Sequence, residues 1–260
     1  LVADAAVLNP TEGVRLEGDT GPKMSTRPVA AAPEPFHLGD DNSARPSNIA
    51  KTLLHLRHLI DLVVRGCTHK TVDVAAVQNT ADANETAWAW KTILERREGP
   101  AGIALSRQNL PVFERSSAAS ATEFAPASHT AKGAYVLVDS PTGTIDVILI
   151  ATGSEVQVAV AAREALAAKG IGARVVSAPC LEWFEEQPES YRESVLPASV
   201  TARVSVEAGL ALGWSEYVGA NGASVSIEHF GASADYQTLF REFGITPEAV
   251  ASAAETVLSR

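Results

Sequence analysis

Apolar positions along the chain change their spacing from one stretch to the next, and each spacing predicts a different element. Ile49, Leu53, Leu56, Ile60 and Val63 follow a four-three rhythm that winds onto one stripe of a helix, with Ser47 placed to cap it and Gly66 to stop it. Thr71 to Val77 reads as a buried strand, Ala83 to Arg97 as a helix with Trp88 and its small alanines turned inward, and Gly102 to Ser106 as a short strand. Beyond Lys132, strands and helices alternate. Val147 to Ala151 is almost wholly apolar, as a central parallel strand buried on both faces has to be. Ser154 to Lys169 is an alanine-rich helix closed by Gly170, and Ala173 to Ser177, Thr201 to Val206 and Ser224 to Ile227 read as strands. Glu189 to Val195, Gly213 to Val218, Ala234 to Phe243 and Pro247 to Leu258 read as helices, with Thr246 at the N-cap and Pro247 at the first helical position of the last. The alternation predicts an α/β fold with a doubly wound, mostly parallel sheet covered on both faces, preceded by an incomplete α/β segment.

Composition divides the same chain into zones. Residues 1–47 hold six prolines and four glycines with no sustained period, and read as irregular, partly disordered chain. Residues 48–115 form the partial α/β segment. Residues 116–131 are rich in Ser, Ala, Thr and Pro and read as a linker, and residues 132–260 as one domain. The net charge of −10 excludes a nucleic-acid partner held by a basic face. No apolar run approaches the ~20 residues of a bilayer span, the N-terminus lacks the pattern of a signal peptide, and Cys67 and Cys180 show neither metal spacing nor a disulfide framework. These features place the protein in the cytoplasm, away from membranes. The chain opens on Leu1 instead of Met, which reads as a processed or truncated piece.

Candidate chemistry sits where predicted strands end. Thr152-Gly153-Ser154-Glu155 is a tight turn into a helix whose free N–H groups suit an anion; equally, Ser154 can cap that helix while Glu155 favours its positive end. Arg107 follows a strand, at the edge where open α/β folds bind ligands, and its planar fork suits a phosphate; a solvated surface arginine is the plainer alternative. Glu207-Ala208-Gly209 and Glu228-His229-Phe230-Gly231 follow two more strands and could move protons or simply organise loops. His55 and His58 lie beside Lys51 and Arg57 on the polar face of the 49–63 helix and do not read as a metal pair. The chain contains no dinucleotide fingerprint, Walker loop, zinc-protease pair or nucleophile elbow.

From Ala81 onward the chain closely resembles the transketolase family. Ala-Asp-Ala-Asn-Glu-Thr-Ala-Trp-Ala-Trp (81–90), Leu-Ser-Arg-Gln-Asn-Leu-Pro (105–111), Lys-Gly-Ala-Tyr-Val-Leu (132–137) and Ile-Ala-Thr-Gly-Ser-Glu-Val (150–156) carry the likeness. It continues through Ala-Arg-Val-Val-Ser (173–177), Tyr-Arg-Glu-Ser-Val-Leu-Pro (191–197), Thr-Ala-Arg-Val-Ser-Val-Glu-Ala-Gly (201–209) and Leu-Phe-Arg-Glu-Phe-Gly (239–244). The resemblance implies that residues 132–260 are the family's C-terminal domain and residues 81–115 the end of its pyrimidine-binding domain. It implies ketol transfer between sugar phosphates, thiamine diphosphate and magnesium as cofactors, a homodimer or partner chain, and Arg107 as the group that takes the sugar phosphate. The family's Gly-Asp-Gly, Arg-Glu-His and Asp-Gly-Pro-Thr-His-Gln-Pro stretches do not occur in the chain. Gly18-Asp19-Thr20-Gly21-Pro22 and Phe36-His37-Leu38-Gly39 echo two of these regions only faintly, so no residue is assigned a catalytic or metal-binding role. The resemblance therefore implies a chain that is inactive alone and does not hold the cofactor by itself. A non-catalytic dimerisation or interaction module, and an α/β domain binding a small molecule at the Gly153–Ser154 turn, are the alternatives.

Overall fold

The computed structural model describes the backbone of residues 4–8 and then residues 76–260 apart from Glu98. The predicted 49–63 helix, His55, His58, Cys67 and most of the proline-rich zone lie outside the described residues. Within that zone, however, Asp4–Leu8 forms strand β1, a correction to its reading as wholly irregular.

Two sheets organise the described chain. In the first, β2 (Ala76–Asn79) runs parallel to β3 (Ala101–Leu105), joined by helix α1 (Ala83–Glu95), and β1 pairs antiparallel to the other side of β3. In the second, five strands take the order β4 (Tyr135–Val138), β6 (Ala173–Ser177), β5 (Val147–Ala151), β7 (Arg203–Val206), β8 (Ala223–Val225). Every pair is parallel except β4 with β6, whose register slips between Val136 and Val138. The strand order reverses at β5, which has β6 on one side and β7 on the other, as expected of a doubly wound sheet.

The apolar run of β5 explains its place. All five of its residues have no exposed surface, and they feed two cores on opposite faces. Val147, Leu149 and Ala151 meet helices α2 (Val156–Ala167) and α7 (Pro247–Leu258), through Val156, Ala159, Leu166, Val250 and Ala254. Ile148 and Ile150 meet Phe184 of α3 (Leu181–Glu185), Val195 of α4 (Glu189–Val195) and Trp214, just before α5 (Ser215–Val218). Helix α6 (Tyr236–Glu242) adds Phe240 to the first core. At the start of α7, Thr246 Oγ1 accepts from the Ala249 N–H at 3.2 Å and Pro247 opens the helix, as the sequence predicts.

Three expectations need correction. Trp88 is only half-buried, beneath the Lys91 ammonium 5.1 Å from its ring centre, and Ala83 and Ala87 are exposed; the buried face of α1 is Glu85, Ala89, Thr92 and Ile93. Residues 116–131 are packed as well as connecting. Ala125 and Thr130 have no exposed surface, the Ala125 N–H donates to the Leu137 carbonyl at 2.8 Å, and Ala127–Lys132 makes a 3-10 turn. Small residues there permit close approach, which composition alone cannot distinguish from linker polarity. Finally, β4 and α3 are too short to carry a period and were not anticipated.

Because Leu149 packs at the centre of the larger core, Leu149→Ala should cost about 2–5 kcal/mol. Urea unfolding followed by tryptophan fluorescence measures this, and a loss below about 1 kcal/mol would show that β5 is not the keystone of the sheet.

Candidate functional site

The carboxyl ends of β2 and β5 meet. The Asn79 N–H donates to the Pro179 carbonyl at 2.7 Å, and Thr152 Oγ1 donates to the Asn79 carbonyl at 3.4 Å. Gly153 has φ +57, and a Cβ there would lie 2.4 Å from the Asn79 side chain, so only glycine fits. The turn that could have cradled an anion is thus covered by the end of β2. Its helix is not capped by Ser154: Glu155 is the cap residue, with no side-chain capping bond, and Ser154 Oγ donates to Glu155 Oε1 at 2.5 Å.

Glu155 is 4% exposed, and its burial pushes its pKa up to about 7. The Glu207 carboxylate raises it further, against the hydrogen bonds from Ser154 and from the Ala208 N–H. The buried Glu155 and the Glu207 carboxylate beside it disfavour an anion at this turn. Glu207 also accepts from Trp214 Nε1 at 2.8 Å, and Glu228 Oε1 accepts from the Ala211 N–H and Ser226 Oγ, each at 2.8 Å. The exposed His229 stacks edge-on against Phe243 with ring centres 4.7 Å apart. Both strand-end acids organise loops.

A second buried cluster was missed in the sequence. Asp82 caps α1: its Oδ1 accepts from the Glu85 N–H at 2.8 Å, while Glu85 Oε2 reaches back to accept from the Ala81 N–H at 2.8 Å. Asp-x-x-Glu before a helical run is the signal that could have found this reciprocal cap. Glu85 Oε1 also accepts from Tyr135 Oη of β4 at 2.6 Å and Ser177 Oγ of β6 at 2.7 Å, so a carboxyl from the first unit is clasped by the second sheet. Arg115 completes the cluster, donating to Asp82 Oδ2 and Tyr135 Oη, each at 2.8 Å. Burial raises the Glu85 pKa, opposed by these hydrogen bonds and by the Arg115 charge.

Arg107 lies just past β3, exposed, in the segment 106–112 that leads toward this cluster. Among the described residues its guanidinium makes no hydrogen bond, and no group of three or more His, Cys, Asp or Glu residues could hold a metal ion. No helix among them is long and apolar enough to cross a membrane.

Residues 133–246 match the model of the transketolase-like C-terminal domain. Over 207 residues the chain is 55% identical to the transketolase of Mycobacterium leprae, and over 229 residues 44% identical to transketolase 1 of Escherichia coli. Over this segment the chain is similar to transketolases and carries a transketolase-like C-terminal domain. Those alignments cover 74% and 84% of this chain but only 28% and 33% of the two relatives, so the chain spans about a third of their length or less. A solved transketolase from Leishmania mexicana superposes with a TM-score of 0.64 at 36% identity, over 77% of this chain and 27% of that one. A Pichia stipitis transketolase solved with sedoheptulose-7-phosphate gives 0.62 at 36% identity, over 80% and 27%. Coverage of 74–84% of this chain carries the likeness beyond the 133–246 domain.

Glu155 also sets a pH dependence. Its folded pKa of about 7 lies above the ordinary 4.5, so the native state holds a proton that the unfolded chain releases. That contribution to stability is complete below about pH 4.5 and lost as pH rises to about 7, a difference on the order of 3 kcal/mol. Glu155→Gln mimics the protonated form. Its stability relative to the parent chain should therefore rise between pH 5 and pH 8 in urea titrations; parallel profiles would count against the buried acid pair.

Proposed function

We propose that this chain is the C-terminal part of a thiamine-diphosphate-dependent transferase that moves a two-carbon ketol unit between sugar phosphates in the cytoplasm, and that Arg107 takes the phosphate of the sugar. The observation that carries the reading is the placement of Arg107: an exposed guanidinium directly beyond the carboxyl end of a parallel strand, matching the family's Leu-Ser-Arg-Gln-Asn stretch. The structural neighbour solved with sedoheptulose-7-phosphate supports a sugar phosphate as the ligand class.

The described residues do not fit the cofactor. Thiamine diphosphate needs a metal anchor for its diphosphate and a carboxyl at its pyrimidine ring. No metal-binding cluster exists among the described residues, and the three buried carboxyls are committed elsewhere, Asp82 to the Glu85 and Phe113 N–H groups and to Arg115. Glu85 is engaged with Tyr135, Ser177 and Ala81, and Glu155 with Ser154 opposite Glu207. No step is derived through the cofactor. Ketol transfer then requires a partner chain of different sequence, and the chain alone is inactive. One charged hydrogen bond from Arg107 contributes about 1.5–3 kcal/mol, far below the ~8 kcal/mol at the low end of enzymatic rate enhancement.

A non-catalytic dimerisation or interaction module is the second reading. Leu212 (80% exposed) and Phe230 (65% exposed) favour it, because they sit on two loops that Glu228 ties together. One fold neighbour, 24% identical with a TM-score of 0.55, is described as a split-gene transketolase, inactive beta4 tetramer, and this chain covers 58% of it.

Assays with xylulose 5-phosphate and ribose 5-phosphate, with thiamine diphosphate and magnesium present, separate these readings. The chain alone should give no transfer, and adding a partner chain that supplies both the metal anchor and the pyrimidine-ring carboxyl should restore it. Turnover by the chain alone would overturn the expectation of inactivity, whereas silence even with the partner would favour the interaction module.

A further inference from the structure

The segment 106–112 carries Arg107 but forms no helix or strand. One end of it is Leu105, the last residue of β3. The other is Phe113, whose ring is buried against Phe124 with centres 4.8 Å apart. The backbone of Phe113 is gripped by the first turn of α1: its N–H donates to Asp82 Oδ2 at 3.1 Å and its carbonyl accepts from Asn84 Nδ2 at 3.2 Å. Arg115 donates to the same Asp82 oxygen at 2.8 Å, and the side chain of Asp82 has no exposed surface.

Asp82 is itself immobile, because its other oxygen caps α1 through the Glu85 N–H. One buried carboxylate therefore ties the start of a helix to the far end of the Arg107 segment. A loop fixed at both ends samples fewer positions than one fixed at β3 alone, and holding a binding group in place before the ligand arrives lowers the ordering cost of binding.

We propose that Asp82 is a positioning residue: by fixing Phe113 and Arg115 to α1, it sets where Arg107 is presented at the carboxyl edge of β3. The proposal rests on the reading of Arg107 as the phosphate-binding group, yet it can fail separately.

The test uses the full chain with inorganic phosphate as the titrant, together with amide hydrogen exchange across residues 106–113. Asp82→Asn keeps an oxygen for the helix cap but turns an amide toward Phe113 and Arg115, breaking the tie selectively. Exchange across 106–113 should accelerate in this variant and, to a smaller degree, in Asn84→Ala, while exchange in β5 and α7 stays unchanged. Phosphate affinity should fall about tenfold in Asp82→Asn, as expected for losing about 1.4 kcal/mol of positioning, and should vanish in Arg107→Ala, whose Phe113 amide exchanges as in the parent chain. Should Asp82→Asn not fold, Asn84→Ala carries the comparison. Unchanged loop exchange in the variants overturns the tie, and so does accelerated exchange with undiminished phosphate affinity. If the parent chain takes up no phosphate while loop exchange still responds, the Arg107 reading fails and the tie stands.

Discussion

A carboxylate taken out of water must find donors, and Glu85 finds them on both sides of the junction between the two sheets. It leaves α1 fully buried, receives one N–H from its own unit, and reaches two hydroxyls, on Tyr135 and Ser177, that belong to the other. Removing either side strands a buried polar group, which costs more than the bond itself contributes. Beside it, Cys180 and Trp183 of the second unit join Ala89, Ile93 and Ile103 of the first in one small apolar core. Polar clasp and apolar contact fix the same junction, so the docking of the two sheets has one geometry.

That docking decides what the carboxyl edge of the larger sheet can do. In an open α/β sheet the point where strand order reverses is the usual ligand crevice. Here the reversal lies at β5, and the end of β2 stands on it, with Gly153 pressed against Asn79. The crevice is occupied by protein, and the Glu155 and Glu207 carboxyls lie beside it. The exposed guanidinium of Arg107 lies away from this point, beyond the carboxyl end of β3 in the smaller sheet.

How much of this was legible depends on sequence distance. Strand β5, helix α4 and the Thr246-Pro247 start of α7 were readable because their causes are local: an unbroken apolar run, a short helix ended before Pro197, and a cap beside a first-turn proline. The fold class followed from them. The clasp was not readable, because Arg115 meets Asp82 across 33 positions, Tyr135 meets Glu85 across 50 and Ser177 meets Glu85 across 92. Its chemistry also disguised the helix that bears it. The buried stripe of α1 contains Glu85 and Thr92, so an apolar period selects Trp88 in their place. Arg107 stands out in the sequence by its motif, whereas the bonds from Asp82 and Asn84 to the Phe113 backbone emerge only when α1 is laid against that residue.

The larger sheet ends on β4 and β8, and neither makes a good template for another strand. Strand β8 is three residues long, and β4 runs against the direction of its neighbour with a slip in register between Val136 and Val138. Outer strands that are short or irregular present few aligned N–H and C=O groups to a passing chain. Edge-to-edge polymerisation of the larger sheet, the hazard of a parallel core this apolar, is thereby discouraged at both of its margins, so contacts made there would be built from loops and side chains instead of extended backbone.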